Sequence, residues 1–283
     1  MLPTFVIGLR EGLEAALIVG IIAAFLVAEG RRDTLRWVAT GVAVAVALCV
    51  AVAVGLQIVS RDLPQRGQEI MESAIALFAV VMVTTMIVWM RSHARTLRRS
   101  LEQEARGALA AGSVMALALM AFLAVLREGF ETSVFLLAVF QQSENAVAAG
   151  FGAVLGIAVA VAVGYGIFRG GIRLDLAKFF RITGVVLVFV AAGLCASAVH
   201  AAHEAGIVTV LQSQAVDLTW MVRPGTPLAA LFTGMLGLQP QPTTAEVVVY
   251  FAYLVPMLLY VLWPSRRPAT APPPSPVEMG VSS

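Results

Sequence analysis

The sequence predicts an all-α polytopic membrane protein with seven transmembrane helices, arranged as two inverted three-helix repeats plus a seventh helix, and with the N-terminus outside. Three observations predict it. The 283 residues are 59% hydrophobic and only 13% charged, with a mean hydropathy of +0.89, whereas a soluble domain is about half apolar and a quarter charged. Apolar runs near the spanning length of about 20 residues recur along the chain. A charged hexapeptide, Leu9-Arg10-Glu11-Gly12-Leu13-Glu14, returns as Leu126-Arg127-Glu128-Gly129-Phe130-Glu131.

The runs fall at 2–28, 37–59, 70–90, 108–140, 148–168, 180–203 and 245–263. The first is a spanning helix and no cleavable signal, because it lacks a basic leader and is broken by Arg10, Glu11 and Glu14. The stretch 227–238, between Pro227 and Pro240, is too short to cross and is expected to be a surface or re-entrant segment. Residues 264–283 are rich in proline and serine and read as a disordered cytoplasmic tail. The membrane domain is therefore 1–263: repeat one 1–90, repeat two 108–204, an outer loop 205–244 and helix seven 245–263.

Orientation follows from lysine and arginine in the loops. With the N-terminus outside, the inner segments hold fourteen of the nineteen basic residues and the outer ones three, the remaining two being Arg10 and Arg127. The second motif follows the first by 117 residues and three spans. An odd number of spans inverts it, so the two copies meet from antiparallel helices, a common transporter plan. Close helix contact is expected along Gly8, Gly12, Ala16 and Gly20, and along two ladders of small residues: Ala39, Ala43, Ala47, Ala51 and Gly55, and Ala148, Gly152, Gly156, Ala160 and Gly164.

The motifs carry the chemistry. Charges at a helix centre oppose insertion by about 2.5–3.5 kcal/mol each, so six amount to roughly 15–20 kcal/mol if additive, an upper figure. At 100° per residue, Arg10, Glu14 and Glu11 share one 100° arc, as do Arg127, Glu131 and Glu128. An Arg–Glu lock between helices would need one carboxylate per arginine. Four carboxylates against two guanidiniums leave two surplus negative charges. That surplus suits a multivalent cation or a proton relay, and argues against an anion.

Further ligand-type residues trail from the outer surface towards the motifs. Glu72 sits one turn inside the third helix after Glu69, and His200, His203 and Glu204 end the sixth. His200 and Glu204 are i,i+4 partners able to share a ligand or a proton; no role is assigned to His203 or Glu69. His200 to Glu204 is not an HExxH zinc-protease arrangement. Met82, Met86 and Met90 form an i+4 stripe that reads as packing before it reads as a copper site. Cys49 and Cys195 lie in apolar runs and read as small buried hydrophobes. Phosphate loops and Ser/His/Asp sets are absent, and no nucleic-acid partner is implied.

The paired Arg-Glu-Gly-x-Glu motifs, the seven spans, Glu72 ahead of an apolar helix ending Trp89-Met90, and Ala191-Ala192-Gly193 leading to His200, Glu204, Ala205 and Gly206 resemble the EfeU-type iron permeases of the oxidase-dependent high-affinity iron transporter family. The resemblance covers roughly 1–263. It departs at Val216-Asp217, where a Trp-Asp pair is usual. It implies a permease of the bacterial inner or cytoplasmic membrane, with iron as cargo and no cofactor. Iron would be bound by Glu11, Glu14, Glu128 and Glu131, with Arg10 and Arg127 as partners and Glu72, His200 and Glu204 on the outer approach. It implies ferric iron delivered by an extracytoplasmic iron oxidase or iron-binding protein docking at 205–245. The competing classes are a proton-coupled transporter of another divalent metal and an intramembrane metalloenzyme.

Overall fold

The computed structural model describes residues 1–61, 64–93, 103, 114–143, 145–169, 175–217 and 241–263. The expected re-entrant segment at 227–238, the C-terminal tail and most of the expected docking loop lie outside these residues. Among them run seven α-helices and no named strand: α1 (Leu2–Ala28), α2 (Leu35–Arg61), α3 (Gln65–His93), α4 (Val114–Gln141), α5 (Ala146–Phe168), α6 (Leu176–Glu204) and α7 (Thr244–Leu262). The chain is an all-α, polytopic membrane protein.

Six of the seven helices are long and apolar enough to cross a bilayer with at most two charges in an 18-residue stretch. At 28 residues α4 is long enough too. It misses that condition because Arg127, Glu128 and Glu131 fall within every such stretch of it. The charge that sets α4 apart is the motif itself. Several helices outrun the apolar runs by a polar turn, because side chains cap the free backbone N–H groups. Asn145 accepts from Ala148 N–H, Asp175 from Lys178 N–H and Thr243 from Glu246 N–H. α6 stops at Gly206, whose φ of +70° allows Ile207 N–H to reach the Ala202 carbonyl and Gly206 N–H that of His203.

Packing pairs helices across the two halves of the chain: α1 lies along α5, α2 along α4, and α3 along α6, with α7 against α6. The α1–α5 seam is parallel and built from small residues. A methyl group added at Gly8 would come within 2.7 Å of the Ala153 carbonyl oxygen, and one at Gly12 within 2.9 Å of Ala160 Cβ. Ala16 fits against Gly164. The α2–α4 seam is parallel as well: Gly41 meets Ala118 and Phe122, and further on Gly129 meets Cys49.

These seams confirm the small-residue edge of α1 and the ladder on α5, where Gly152, Gly156, Ala160 and Gly164 are buried. They correct the ladder on α2. Ala39, Ala43, Ala47, Ala51 and Gly55 are exposed on the outer face of the bundle. The packed face carries Val38, Ala45 and Cys49, all buried, together with Gly41. Alanine is so frequent on α2 that an i+4 series of small residues runs along more than one face, and spacing alone does not choose between them.

Contacts in the two seams correspond by position. Gly152 packs on Met1, and Gly41 packs on Ala118. Ala118 stands 117 residues after Met1, the spacing of the two motifs, while Gly152 stands 111 after Gly41. At the far end of α1, Ile22 and Leu26 form a cluster with Val38 of α2 and Leu117 and Ala121 of α4. Since Glu11 meets the middle of α4, α1 and α4 run in opposite directions.

The remaining helices define two ends. At one, Ser73 Oγ donates to the Ala198 carbonyl at 2.9 Å and His200 Nδ1 lies 3.0 Å from Glu246. At the other, Arg91 Nη2 and Arg181 Nη2 donate to the last carbonyls of α7, on Trp263 at 2.6 Å and Leu262 at 2.8 Å. Two cations there complement the negative end of the helix dipole. Both cysteines are free and buried, and Met86 and Met90 lie in the main core cluster, as the packing reading expects.

The seams predict a contrast. Gly129→Ala would place a methyl 2.6 Å from Cys49 Sγ and destabilise by about 1–3 kcal/mol through overpacking; a further Cys49→Ala exchange relieves most of it. Gly8→Ala meets a backbone oxygen, so no side-chain truncation relieves it. Thermal unfolding of the three variants in detergent checks both statements.

Candidate metal centre at the crossing of the two motifs

Six charged side chains are buried among the described residues: Arg10, Glu11, Glu14, Glu128, Glu131 and Glu246. Five of them belong to the motifs. The close seams let α1 and α4 cross at their middles, so one motif faces the other. Each arginine pairs with the glutamate one turn on. Arg10 Nε lies 3.3 Å from Glu14 Oε1, and Arg127 Nε lies 3.0 Å from Glu131 Oε1 and 3.8 Å from Glu128.

Glu11, Glu128 and Glu131 offer carboxylate oxygens that all lie within 4.8 Å of one another. Among the described residues this is the only such group of three histidine, cysteine or carboxylate side chains. Glu14 stands beside it, within electrostatic reach of Glu131 and Arg127. Glu11 is fully buried, and neither of its oxygens has a hydrogen-bond partner. A buried carboxylate without a partner is costly, and gathered oxygens of this kind are what a hard, highly charged cation would satisfy.

The two copies are alike in spacing and unlike in surroundings. Arg10 is 1% exposed, whereas the Arg127 side chain is 59% exposed. Arg10 lies 5.9 Å from the Phe180 ring centroid on α6, and Arg127 5.7 Å from that of Trp89 on α3.

Cavities reach the crossing from two sides. One of about 450 Å³ runs between α1, α2, α4 and α5 and has Glu11 and Glu128 in an otherwise largely apolar wall. It shares Gln57, Leu137 and Phe140 with a second of about 440 Å³ that contains Glu72. A third, of about 480 Å³, is lined by Arg10 and by Arg91, Lys178 and Arg181 at the opposite end.

Of the residues expected on the approach, Glu72 thus joins a continuous series of cavity walls leading to Glu11 and Glu128. It also lies within electrostatic reach of Glu204 and Glu69. His200 contacts Glu204 at 3.5 Å, but the two line neither of those cavities, and with Glu72 they do not form a ligand group. The sequence reading missed Glu246, whose side chain is 3% exposed and reaches His200 Nδ1 at 3.0 Å. Its local signal was the Thr243-x-x-Glu246 capping pattern, which announces a helix start. It gives no hint of a histidine 46 residues away. His203 has both ring nitrogens buried and without a partner.

Residues 1–266 match the iron permease FTR1 family. The chain belongs to that family. The ferrous iron permease EfeU of Yersinia pestis is 43% identical over 271 residues, covering 95% of this chain and 96% of that permease. The EfeU of Escherichia coli O6:K15:H31 is 42% identical over 275 residues, covering 96% and 99%. The Escherichia coli K12 relative described as a putative inactive ferrous iron permease EfeU is equally similar, at 42% over 275 residues. No solved structure matches. The expectation of an iron permease, and of a multi-pass membrane transporter, is borne out at this level.

For this permease the crossing makes opposite predictions for its two kinds of charge. Arg10→Gln removes the buried partner of Glu14 and destabilises by about 3–5 kcal/mol. Glu11→Gln removes a carboxylate that has no partner, so the unfolding midpoint of the iron-free protein is not lowered. If iron binds at the crossing, it is expected to raise the midpoint of the unaltered protein and not that of this variant. Thermal unfolding with and without iron reads all three.

Proposed function

We propose that this permease carries iron from outside to the cytosol through a site formed jointly by the two Arg-Glu-Gly-x-Glu motifs. Three of the four motif carboxylates gather within 4.8 Å, between cavities that lead to opposite ends of the bundle. That arrangement is the observation on which the proposal rests. Glu11, Glu128 and Glu131 would hold the ion, with Glu14 beside them. Arg10 and Arg127 would separate the carboxylates and limit how tightly the ion is held. Glu72 would act at the entrance, with His200 and Glu204 at the same end of the bundle.

Two further readings belong with it. The corresponding α1–α5 and α2–α4 contacts, and the antiparallel run of α1 and α4, support an inverted repeat of helices 1–3 and 4–6. The excess of basic residues in the inner segments supports an outside N-terminus, which makes the Glu72 end the entrance and the Arg91 end the exit.

The relatives are named for ferrous iron. The ligand set here is all carboxylate oxygen, without thiol or thioether, and suits the harder ferric ion. We infer that iron is ferric at the crossing, after oxidation by an extracytoplasmic oxidase or delivery by a binding protein. Uptake of ferrous and ferric iron, presented separately to purified protein in liposomes, distinguishes these. Glu14→Ala and Glu131→Ala are each expected to abolish uptake while the protein stays folded. Survival of uptake in both single variants would overturn the shared site. Equal competition by manganese or zinc would favour a general divalent-metal transporter.

A further inference from the structure

The cavity at the Arg91 end has a lining opposite in sign to the crossing. Arg10, Arg91, Lys178 and Arg181 face it, with Asp175 as the one acidic residue. Asp175 Oδ1 is engaged as the cap of α6, accepting from Lys178 N–H at 3.1 Å. Two of the guanidiniums have donors to spare. Arg10 binds Glu14 through Nε, and its Nη1 is buried with no partner. Arg91 binds the Trp263 carbonyl through Nη2, and its Nη1 is also buried with no partner.

These groups are held in place before any ligand arrives. Arg91 stacks 4.4 Å from the Tyr260 ring centroid, and Arg181 is tied to Leu262. The first turn of α6, through Ala177 and Lys178, borders the same space and brings the positive end of a helix dipole. Four basic side chains, two of them with an unpartnered guanidinium nitrogen, and a helix start around a cavity of about 480 Å³ form a site for negative charge. The volume admits a small molecule. Guanidinium donors select oxygen anions of phosphate or carboxylate type.

We propose that this cavity binds a small soluble oxyanion, an inorganic phosphate or a polycarboxylate, between Arg10, Arg91, Lys178 and Arg181. The binding stands on the cavity alone. If iron leaves by this end, a role that rests on the transport reading above, the anion would place hard oxygen ligands beside Arg10, one side chain from the motif carboxylates. It would also offset the positive lining that an emerging cation meets.

The test uses purified full-length protein in detergent, without iron and at low ionic strength, titrated calorimetrically with sodium phosphate and, separately, with sodium citrate. At least one is expected to bind saturably and to raise the unfolding midpoint. Arg91→Gln and Lys178→Gln are each expected to weaken that binding about tenfold or more, the loss of one charge-assisted contact. Lys178 is included because, among the described residues, its side chain makes no hydrogen bond or ion pair, only its backbone N–H being engaged. A phosphate response assigns a compact anion, and a citrate response a polycarboxylate. No saturable binding of either, binding unchanged in both variants, or a response to phosphatidylglycerol alone would overturn the proposal. A failure of iron uptake with anion binding intact would count against the transport reading and leave this site standing.

Discussion

The structure depends on one constraint: carboxylates and guanidiniums buried at mid-helix must satisfy one another, and here they do so only in part. Two of the four motif glutamates are neutralised locally by the arginine one turn earlier, which is the geometry the i,i+4 spacing dictates. The other two bring surplus carboxyl groups to the point where α1 and α4 cross. Neither helix could carry its motif into a bilayer cheaply alone. Each needs the other.

The crossing is close because the flanking seams are close. Gly8, Gly12, Gly152 and Gly164 let α1 sit against α5, and Gly41 lets α2 sit against α4. In a membrane, helices associate through packing rather than through burial from water, so small residues on the flanking pairs fix where the central pair can meet. A side chain in either seam would move a helix axis outward. The carboxylate oxygens would then leave the few ångströms within which one ion can bridge them. Packing and ligand geometry are here the same property.

Much of this was legible in the sequence and some was not, for separable reasons. The spans follow from apolar length, a property of composition. The motif positions and their pairing follow from spacing on one helix. The face α2 presents was not legible, because alanines at Ala39, Ala43, Ala47 and Ala51 resemble those of a seam while Gly41, Ala45 and Cys49 make the real one. The environment of each arginine was equally hidden: identical hexapeptide patterns leave Arg10 buried and Arg127 half open, since Phe180 and Trp89 come from distant helices. Glu246 was missed because its partner His200 is a tertiary neighbour. Local patterns reported local roles. Whatever a residue does through another helix had to be read from the fold.

The opposed linings of the cavities follow from the same constraint. Arg10 stands between them: its Nε faces Glu14, and the residue also lines the basic cavity. A cation held by Glu11, Glu128 and Glu131 would weaken the hold of Glu14 on Arg10, because the ion and the guanidinium compete for the same carboxylates. A guanidinium freed from Glu14 would still stand at the wall of the basic cavity, where negative charge would receive it. Occupancy of the crossing and occupancy of that cavity would then be linked through one side chain, each site favouring the other in the manner of any thermodynamic coupling. Arg127, by contrast, has a side chain that is 59% exposed. The two copies of the motif therefore differ in what surrounds their arginines.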